Sequence, residues 1–210
     1  MSILERIAQE LEIGEEDEVA KLTRNALDIG IPAKEVLDLG LLKGMDVVGG
    51  KFKNHEMFLP EVLLAARAMQ AGMDLLKPLL AAEGAQTRGK IVLGTVEGDL
   101  HDIGKNLVGI MLKGAGYDVV DLGYDVSPEK FVETAKSKNS TVIGMSALLT
   151  TTMPVMKKVI GLLDEQGLRG KIKTIIGGAP VSRDYADQIG ADAYAYDGAN
   201  AVVCMDKLLS

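Results

Sequence analysis

The sequence predicts an α/β protein in which an N-terminal helical bundle precedes a doubly wound sheet of five parallel strands. Residues 1–82 lack the alternation of strands, and their apolar residues recur at helical steps of three and four. Between residues 90 and 209, short apolar runs alternate with helical segments, as in a parallel sheet covered on both faces. The small and polar stretch EGAQTRG at residues 83–89 separates the two patterns. We therefore predict a helical domain at residues 1–88 and an α/β domain at residues 89–210.

Three apolar patterns predict the helices of the bundle. Residues 41–52 and 19–29 each repeat apolar residues at helical spacing, with Ile29 as the last member of the earlier pattern. Pro32 and Pro60 stand where a first helical turn would begin, and Pro78 is expected to bend or end the last helix. The clearest pattern consists of Leu59, Val62, Ala66, Met69, Met73, Leu76 and Leu80.

Five apolar runs predict the strands of the sheet. They read KIVLGT, YDVVDLG, TVIGMSA, KTIIGG and ADAYAY and begin at residues 90, 117, 141, 173 and 191. In the flavodoxin-like strand order, strands one and three flank the point where the winding reverses, and ligands bind beyond the carboxyl ends of the strands there. The residues that follow these strands are therefore the candidates for a binding site.

The tips of the first, third and fourth strands carry residues suited to a slot. Gly98 and Gly104 are expected to let the backbone turn sharply, and Ser146 offers a small hydroxyl. Gly177 and Gly178 remove side chains where a ligand could approach the backbone. Together these tips predict a slot that accepts a bulky flat group between strands one and three.

Composition excludes several classes of partner. The net charge of −7 and the scattered Lys and Arg residues argue against nucleic acid, which requires a basic surface. The chain has no apolar run of about 18 residues or more, so no membrane span is expected. The charged N-terminus, which does not resemble a signal peptide, and the single cysteine, Cys204, favour a cytoplasmic location.

His101 is the candidate metal ligand. Asp99 lies two residues before it, and a carboxylate that accepts a hydrogen bond from one ring nitrogen leaves the other nitrogen with a lone pair for a metal. A zinc site needs three or four protein ligands, but His55 is the only other histidine and Cys204 the only cysteine. A metal already held by a macrocycle needs only an axial ligand, which His101 can provide.

These residues resemble the signatures of cobalamin-binding domains. DLHDIG at residues 99–104 matches the motif Asp-x-His-Asp-x-Gly, while SAL at 146–148 and GG at 177–178 match the other signatures of that family. The segment GGKFKNHEMFLPEVLLAARAM also resembles the helical cap of cobalamin-dependent methyltransferases, including methionine synthase. The combination is similar to small corrinoid proteins that serve methyltransferases acting on methylamines, methanol or aromatic methyl ethers.

The resemblance implies a role for each matching residue. His101 would bind cobalt as the lower axial ligand in place of the cofactor's own base, dimethylbenzimidazole, and Asp99 would hydrogen-bond to His101. The displaced base would enter the slot and accept a hydrogen bond from Ser146, while Gly177 and Gly178 would let the nucleotide tail pass close to the backbone. The other residues assigned to the cofactor are Asp102, Ile103, Gly104, Leu148 and, in the cap over the upper corrin face, Phe58 and Leu59.

The resemblance also implies a methyl carrier that is not catalytic alone. Its Co(I) would accept a methyl group from one partner methyltransferase, and the methyl-Co(III) form would be presented to a second one. A reductive activator protein would restore cobalt that is oxidised to Co(II). The cap would have to move off the corrin for both transfers, and the linker at 83–89 is the expected hinge.

Three alternatives stay open at this point. A cobalamin-dependent mutase subunit would share the His101 loop, but a barrel normally stands where this chain has helices. A cobalamin-sensing regulator is disfavoured by the acidic charge and by the lack of an additional output domain. A flavodoxin-like or phosphoacceptor domain without a corrinoid is the third alternative, although a phosphoacceptor would need a carboxylate where Ser146 stands.

Overall fold

A computed structural model describes residues 1–82 and 88–210 of the chain. These residues form two compact units, one made of residues 1–82 with Gly114–Gly116 and the other of residues 88–113 and 117–210. The hinge expected at residues 83–89 falls mainly on residues 83–87, which lie outside the described residues.

The first unit is helical, as predicted. Ser2 caps the first helix by accepting a hydrogen bond from the Glu5 amide, and the Glu5 carboxylate accepts one from the Ser2 amide in return. A π-helical turn at Leu37–Leu42 continues directly into the fourth helix. The helices are α1 (Ile3–Ile13), α2 (Glu16–Asp28), α3 (Ala33–Val36), α4 (Lys43–Lys53) and α5 (Leu59–Ala82).

The apolar pattern that includes Ile29 is wrong at that residue, and of the two outcomes expected for Pro78, a bend or an end of the helix, the end is excluded. Ile29 is exposed, because α2 ends at Asp28 and Ile29 occupies the cap position beyond the buried face. Pro78 does not end α5, which continues to Ala82. Proline removes only one backbone donor, and the buried side chain of Leu80 shows that the turn after Pro78 is still packed.

The second unit is the predicted doubly wound sheet. All four neighbouring strand pairs are parallel, and the strand order is β2-β1-β3-β4-β5. The strands are β1 (Lys90–Thr95), β2 (Asp118–Asp121), β3 (Val142–Ser146), β4 (Lys173–Gly177) and β5 (Ala193–Ala195). The helices are α6 (Ile103–Gly114), α7 (Pro128–Ser137), α8 (Pro154–Glu165), α9 (Arg183–Ile189) and α10 (Gly198–Leu209). The strand order confirms that β1 and β3 meet where the winding reverses.

The helices pack closely on the sheet because small residues lie beneath large ones. A Cβ atom on Gly94 of β1 would lie 2.8 Å from the ring of Phe131, so the α7 phenylalanine sits directly against the strand backbone. Phe131 is fully buried in the core under β1 and β3. Its neighbours in that core include Val92, Val132, Ile143, Met145, Val159 and Leu163.

Removal of the Phe131 ring tests this packing. Phe131→Ala should lower the free energy of unfolding by about 3–5 kcal/mol, because it removes apolar contacts and leaves a cavity. Urea denaturation followed by circular dichroism would measure the loss. Tyr124→Ala, which truncates an exposed aromatic residue of the same unit, is the control and should change stability by less than about 0.5 kcal/mol. Equal losses in the two variants would contradict the packing described.

Candidate functional site

The carboxyl ends of four strands meet in register at one edge of the sheet. Thr95 of β1 pairs with Ser146 of β3, Ser146 with Gly177 of β4, and Gly177 with Ala195 of β5. The pairing continues one residue further, since the Ala147 amide donates to the Gly177 carbonyl at 3.2 Å. The sheet thus brings the three predicted tips together.

The histidine loop, residues 96–102, leaves β1 at this edge. It turns at Gly98, whose φ of +81° is unfavourable for residues with a side chain. The buried hydroxyl of Thr95 donates to the carbonyl oxygen of His101 at 3.0 Å, so the end of the loop is tied back to the strand. The His101 backbone is therefore held by the core of the sheet.

Asp99 joins the histidine loop to the tip of β3. One carboxylate oxygen lies 2.7 Å from Nδ1 of His101, and the other accepts hydrogen bonds from the amides of Leu148 and Leu149 at 2.7 and 3.1 Å. The hydroxyl of Thr152 donates to this second oxygen at 3.0 Å. Asp99 itself is fully buried. The carboxylate is thus desolvated, but donors surround it.

These donors keep Asp99 ionised. Burial by itself raises the pKa of the carboxyl group, but hydrogen bonds from Leu148, His101 and Leu149 outweigh burial and hold the pKa of Asp99 well below its usual range. An ionised carboxylate only accepts hydrogen bonds, so Nδ1 of His101 must be the donor. The Nε2 atom of the neutral ring then carries the lone pair, on a side chain that is 52% exposed.

The two glycines at the end of β4 both lie close to neighbouring backbone. Gly178 has a φ of +125°, and a Cβ atom there would overlap the carbonyl oxygen of Ala147. A Cβ atom on Gly177 would lie 2.8 Å from the carbonyl oxygen of Ala195. Both positions therefore exclude larger residues, because backbone on either side of β4 lies where a side chain would begin. The sharp turn expected at Gly104 is wrong, because Gly104 lies in the first turn of α6 with open space around it.

The other predicted residues are divided between the two units. Ile103 is 77% exposed at the start of α6, and Leu148 is also exposed beside the bonded amides. The Asp102 carboxylate accepts a hydrogen bond from the Asn106 side chain at 3.0 Å within its own helical turn. In the first unit, Phe58 directly precedes α5 and Leu59 is its first residue, and both side chains are exposed.

Sequence reasoning missed three contributors to the site. Thr152 and the amides of Leu148 and Leu149 bond to Asp99 across 49 to 53 residues of chain. Backbone amides leave no signature in a sequence, and Thr152 stands in a run of three threonines whose pattern does not distinguish it. Leu100, an exposed apolar residue beside His101, was also not singled out.

The chemistry of this edge fits a metal that brings most of its own ligands. Within residues 1–82 and 88–210, no group of three His, Cys, Asp or Glu side chains could hold a metal ion. His101 offers a single nitrogen, while exposed Leu100 and Ile103 lie beside it in the chain. One exposed imidazole beside apolar side chains suits a metal that a macrocycle already holds.

Two family models match the chain, and each is described as a B12 binding domain. One matches residues 89–204, which is more than half of the chain, and the other matches residues 3–77. Among the helices of the described ranges, none has the length and apolar character needed to cross a bilayer.

Named relatives resemble the chain over most of its length. A corrinoid protein of Desulfitobacterium hafniense (strain Y51) is 46% identical to this chain. The match includes 100% of this chain and 98% of the relative. Dimethylamine corrinoid protein 1 of Methanosarcina acetivorans is 49% identical over 84% of this chain and 83% of the relative. A methanol:cobalamin methyltransferase complex from Methanosarcina barkeri matches with a TM-score of 0.88 and 34% identity, over 99% of this chain and 79% of that one.

The Asp99 hydrogen bonds should be visible in the stability of the protein without cofactor. Asp99→Asn should lower the free energy of unfolding near neutral pH by about 2–3 kcal/mol, because the donors lose a charged acceptor. The folded-state pKa of Asp99 is depressed, so the contribution is present above the ordinary aspartate pKa. It should decline as the pH falls below about 4, where the unfolded chain takes up the proton first.

Urea denaturation of both proteins near neutral pH and at about pH 3 measures this difference. Asp102→Asn is the matched control, because that carboxylate accepts a single side-chain bond near the surface. A stability loss in Asp99→Asn that stayed constant across this pH range would contradict the assignment.

Proposed function

The chain belongs to the family of proteins with a B12 binding domain, and we propose that it binds a corrinoid and carries methyl groups between two methyltransferases. The relatives named as dimethylamine corrinoid proteins and the methanol:cobalamin methyltransferase complex support this proposal. The single observation that carries it is the half-exposed His101 ring, whose Nδ1 is held by the buried, ionised Asp99.

When bound, the corrinoid supplies a cobalt ion that can accept a methyl group from one enzyme and yield it to another. His101 would coordinate the lower face of the cobalt through Nε2 and so take the place of the cofactor's own base. Asp99 would fix the tautomer and the ring orientation, as carboxylates do for other metal-binding histidines. The structure supports this role because Asp99 is anchored independently of the ring, through Leu148, Leu149 and Thr152.

The slot for the displaced base is proposed to lie between the tips of β1, β3 and β4. No hydrogen bond within the described part of the chain engages the Ser146 hydroxyl, which is therefore available to the base. Gly177 and Gly178, at the end of β4, are also proposed to lie along the path of the tail. Asp102, Ile103, Gly104 and Leu148 would line the lower corrin face, and the exposure of Ile103 and Leu148 supports their assignment.

We propose residues 1–88 as the cap and residues 89–210 as the cobalamin-binding domain. The separate family matches at residues 3–77 and 89–204 support this division. In the cap, Phe58 and Leu59 would face the methyl-bearing side of the corrin, and their exposure at the start of α5 supports that role.

The proposed partners are a methyl-donor methyltransferase, a methyl-acceptor methyltransferase and a reductive activator protein. Methylamines and methanol are the favoured classes of methyl donor, because dimethylamine and methanol appear in the names of similar proteins. The chain itself is proposed to supply no catalytic residue and to depend on these enzymes for both transfers.

Histidine ligation can be tested with protein labelled with ¹⁵N-histidine and loaded with cobalamin. In the Co(II) form, the electron paramagnetic resonance spectrum should show a doublet from ¹⁵N of His101, whereas the cofactor's own ¹⁴N base would give a triplet. His101→Ala should abolish the doublet. His55→Asn is the control, because His55 is the only other histidine and asparagine tolerates its φ of +60°. A ¹⁴N triplet in the parent protein would overturn the proposed ligation.

Methyl carriage can be tested with ¹⁴C-labelled dimethylamine or methanol and the corresponding methyltransferase from a related system. The reduced, corrinoid-loaded protein should retain label after gel filtration, in proportion to its corrinoid content, and lose it to a second methyltransferase and a thiol acceptor. Corrinoid-free protein is the control and should retain none. If the loaded protein acquires no label from methylamines, methanol or aromatic methyl ethers, the carrier function is wrong.

A further inference from the structure

The connection between β2 and α7, residues 122–127, is bonded along the end of β1. The Leu122 amide donates to the Leu93 carbonyl at 2.8 Å, and the Val126 amide donates to the Thr95 carbonyl at 3.0 Å. Between these bonds, the Thr95 amide donates to the Gly123 carbonyl at 2.9 Å. The connection is therefore held firmly beside the point where the histidine loop begins.

Asp125 of this connection bonds to the histidine loop in two ways. Its carboxylate accepts a hydrogen bond from the Gly98 amide at 2.7 Å, and its own amide donates to the Asp99 carbonyl at 3.1 Å. Asp125 adopts a φ of +55°, a left-handed conformation that aspartate, asparagine and glycine tolerate better than other residues. In this conformation, the carboxylate of Asp125 bonds to Gly98 and its backbone amide bonds to Asp99, the next residue of the loop.

Asp121, the residue directly before this segment, is held by a different contact. The buried Lys105 side chain, in the first turn of α6, places Nζ at 2.6 and 2.7 Å from the two carboxylate oxygens of Asp121. Asp121 also accepts a hydrogen bond from the Gly123 amide at 2.9 Å. The buried Lys105 ammonium and the exposed Asp121 carboxylate therefore tie the residue before this segment to α6. The Gly98 end depends on the exposed carboxylate of Asp125.

We propose that Asp125 is a positioning residue that pre-organises the histidine loop for cobalt ligation by His101. Gly98 has the greatest backbone freedom in this loop, and a hydrogen bond to its amide restricts that freedom before any ligand binds. The loop is then already ordered in the folded protein, so the binding of a corrinoid loses less free energy to the ordering of the loop. This inference rests on the proposed corrinoid function, since it concerns the same histidine.

A pair of variants separates the carboxylate from the backbone conformation. Asp125→Gly keeps access to the left-handed conformation and removes the acceptor of the Gly98 bond. Asp125→Asn keeps both the conformation and an acceptor oxygen. Asn139→Gly is the matched control, because Asn139 is also exposed with a φ of +52° and lies before β3, at the opposite edge of the sheet.

The first measurement uses the protein without cofactor. Amide hydrogen exchange followed by nuclear magnetic resonance should be about tenfold faster at Gly98 in Asp125→Gly than in the parent, the loss expected for a hydrogen bond to a charged acceptor. Asp125→Asn should stay closer to the parent, and Asn139→Gly should leave Gly98 unchanged.

The second measurement uses protein labelled with ¹⁵N-histidine and loaded with cobalamin in the Co(II) form. Asp125→Gly should bind cobalamin about five- to tenfold more weakly and show a smaller fraction of the ¹⁵N doublet, with partial rescue in Asp125→Asn. A residue that only stabilises the fold would alter the unfolding midpoint and leave this fraction unchanged.

The outcomes distinguish the inference from the function on which it rests. If the parent shows the ¹⁵N doublet and Asp125→Gly matches it in both affinity and doublet fraction, the positioning role is wrong while histidine ligation stands. If the parent shows no ¹⁵N doublet, the proposed ligation fails, and the role of Asp125 fails with it.

Discussion

The buried carboxylate of Asp99 is the interaction on which the site depends. Its two oxygens face different parts of the unit, one toward the His101 ring and the other toward the amides and hydroxyl that follow β3. A buried charge without such donors would cost several kcal/mol, on the order of the full stability of many domains. The tip of β3 must therefore lie against the histidine loop whenever the second unit is folded and Asp99 is ionised.

The sheet topology makes this arrangement possible. Because β1 and β3 are adjacent and parallel, Thr95 and Ser146 end their strands side by side, and the chain leaves both strands at the same edge. The β4 glycines enter the same edge through the pairing of Ser146 with Gly177. A shift of register by one residue would turn the side chains of a strand to the other face and separate Asp99 from its donors.

The strands, their order and the Asp99–His101 pair could be predicted, because apolar runs, helical spacing and a motif of neighbouring residues are local properties. Thr152 and the bonded amides could not, since they reach Asp99 only after distant segments fold together. Buried Lys105 also escaped prediction, because a charged residue in a helical pattern is ordinarily assigned to the surface. The predictions that placed Ile29 in α2 and allowed α5 to end at Pro78 concern helix ends. The packing of a single turn decides where a helix ends, so these positions are the hardest to predict.

The two oxygens of the Asp99 carboxylate have different partners, and this separation suits the proposed reversible binding of the metal by His101. The oxygen that binds Leu148, Leu149 and Thr152 makes no contact with His101, so these bonds persist whatever the ring does. The other oxygen lies within hydrogen-bond distance of Nδ1 of the His101 ring, whose side chain is half-exposed. A carrier must hold its ligand in place without holding the metal permanently. If His101 binds the metal as proposed, an anchored acceptor beside an exposed imidazole would meet both demands, because the bonds from Leu148, Leu149 and Thr152 to Asp99 do not involve the ring.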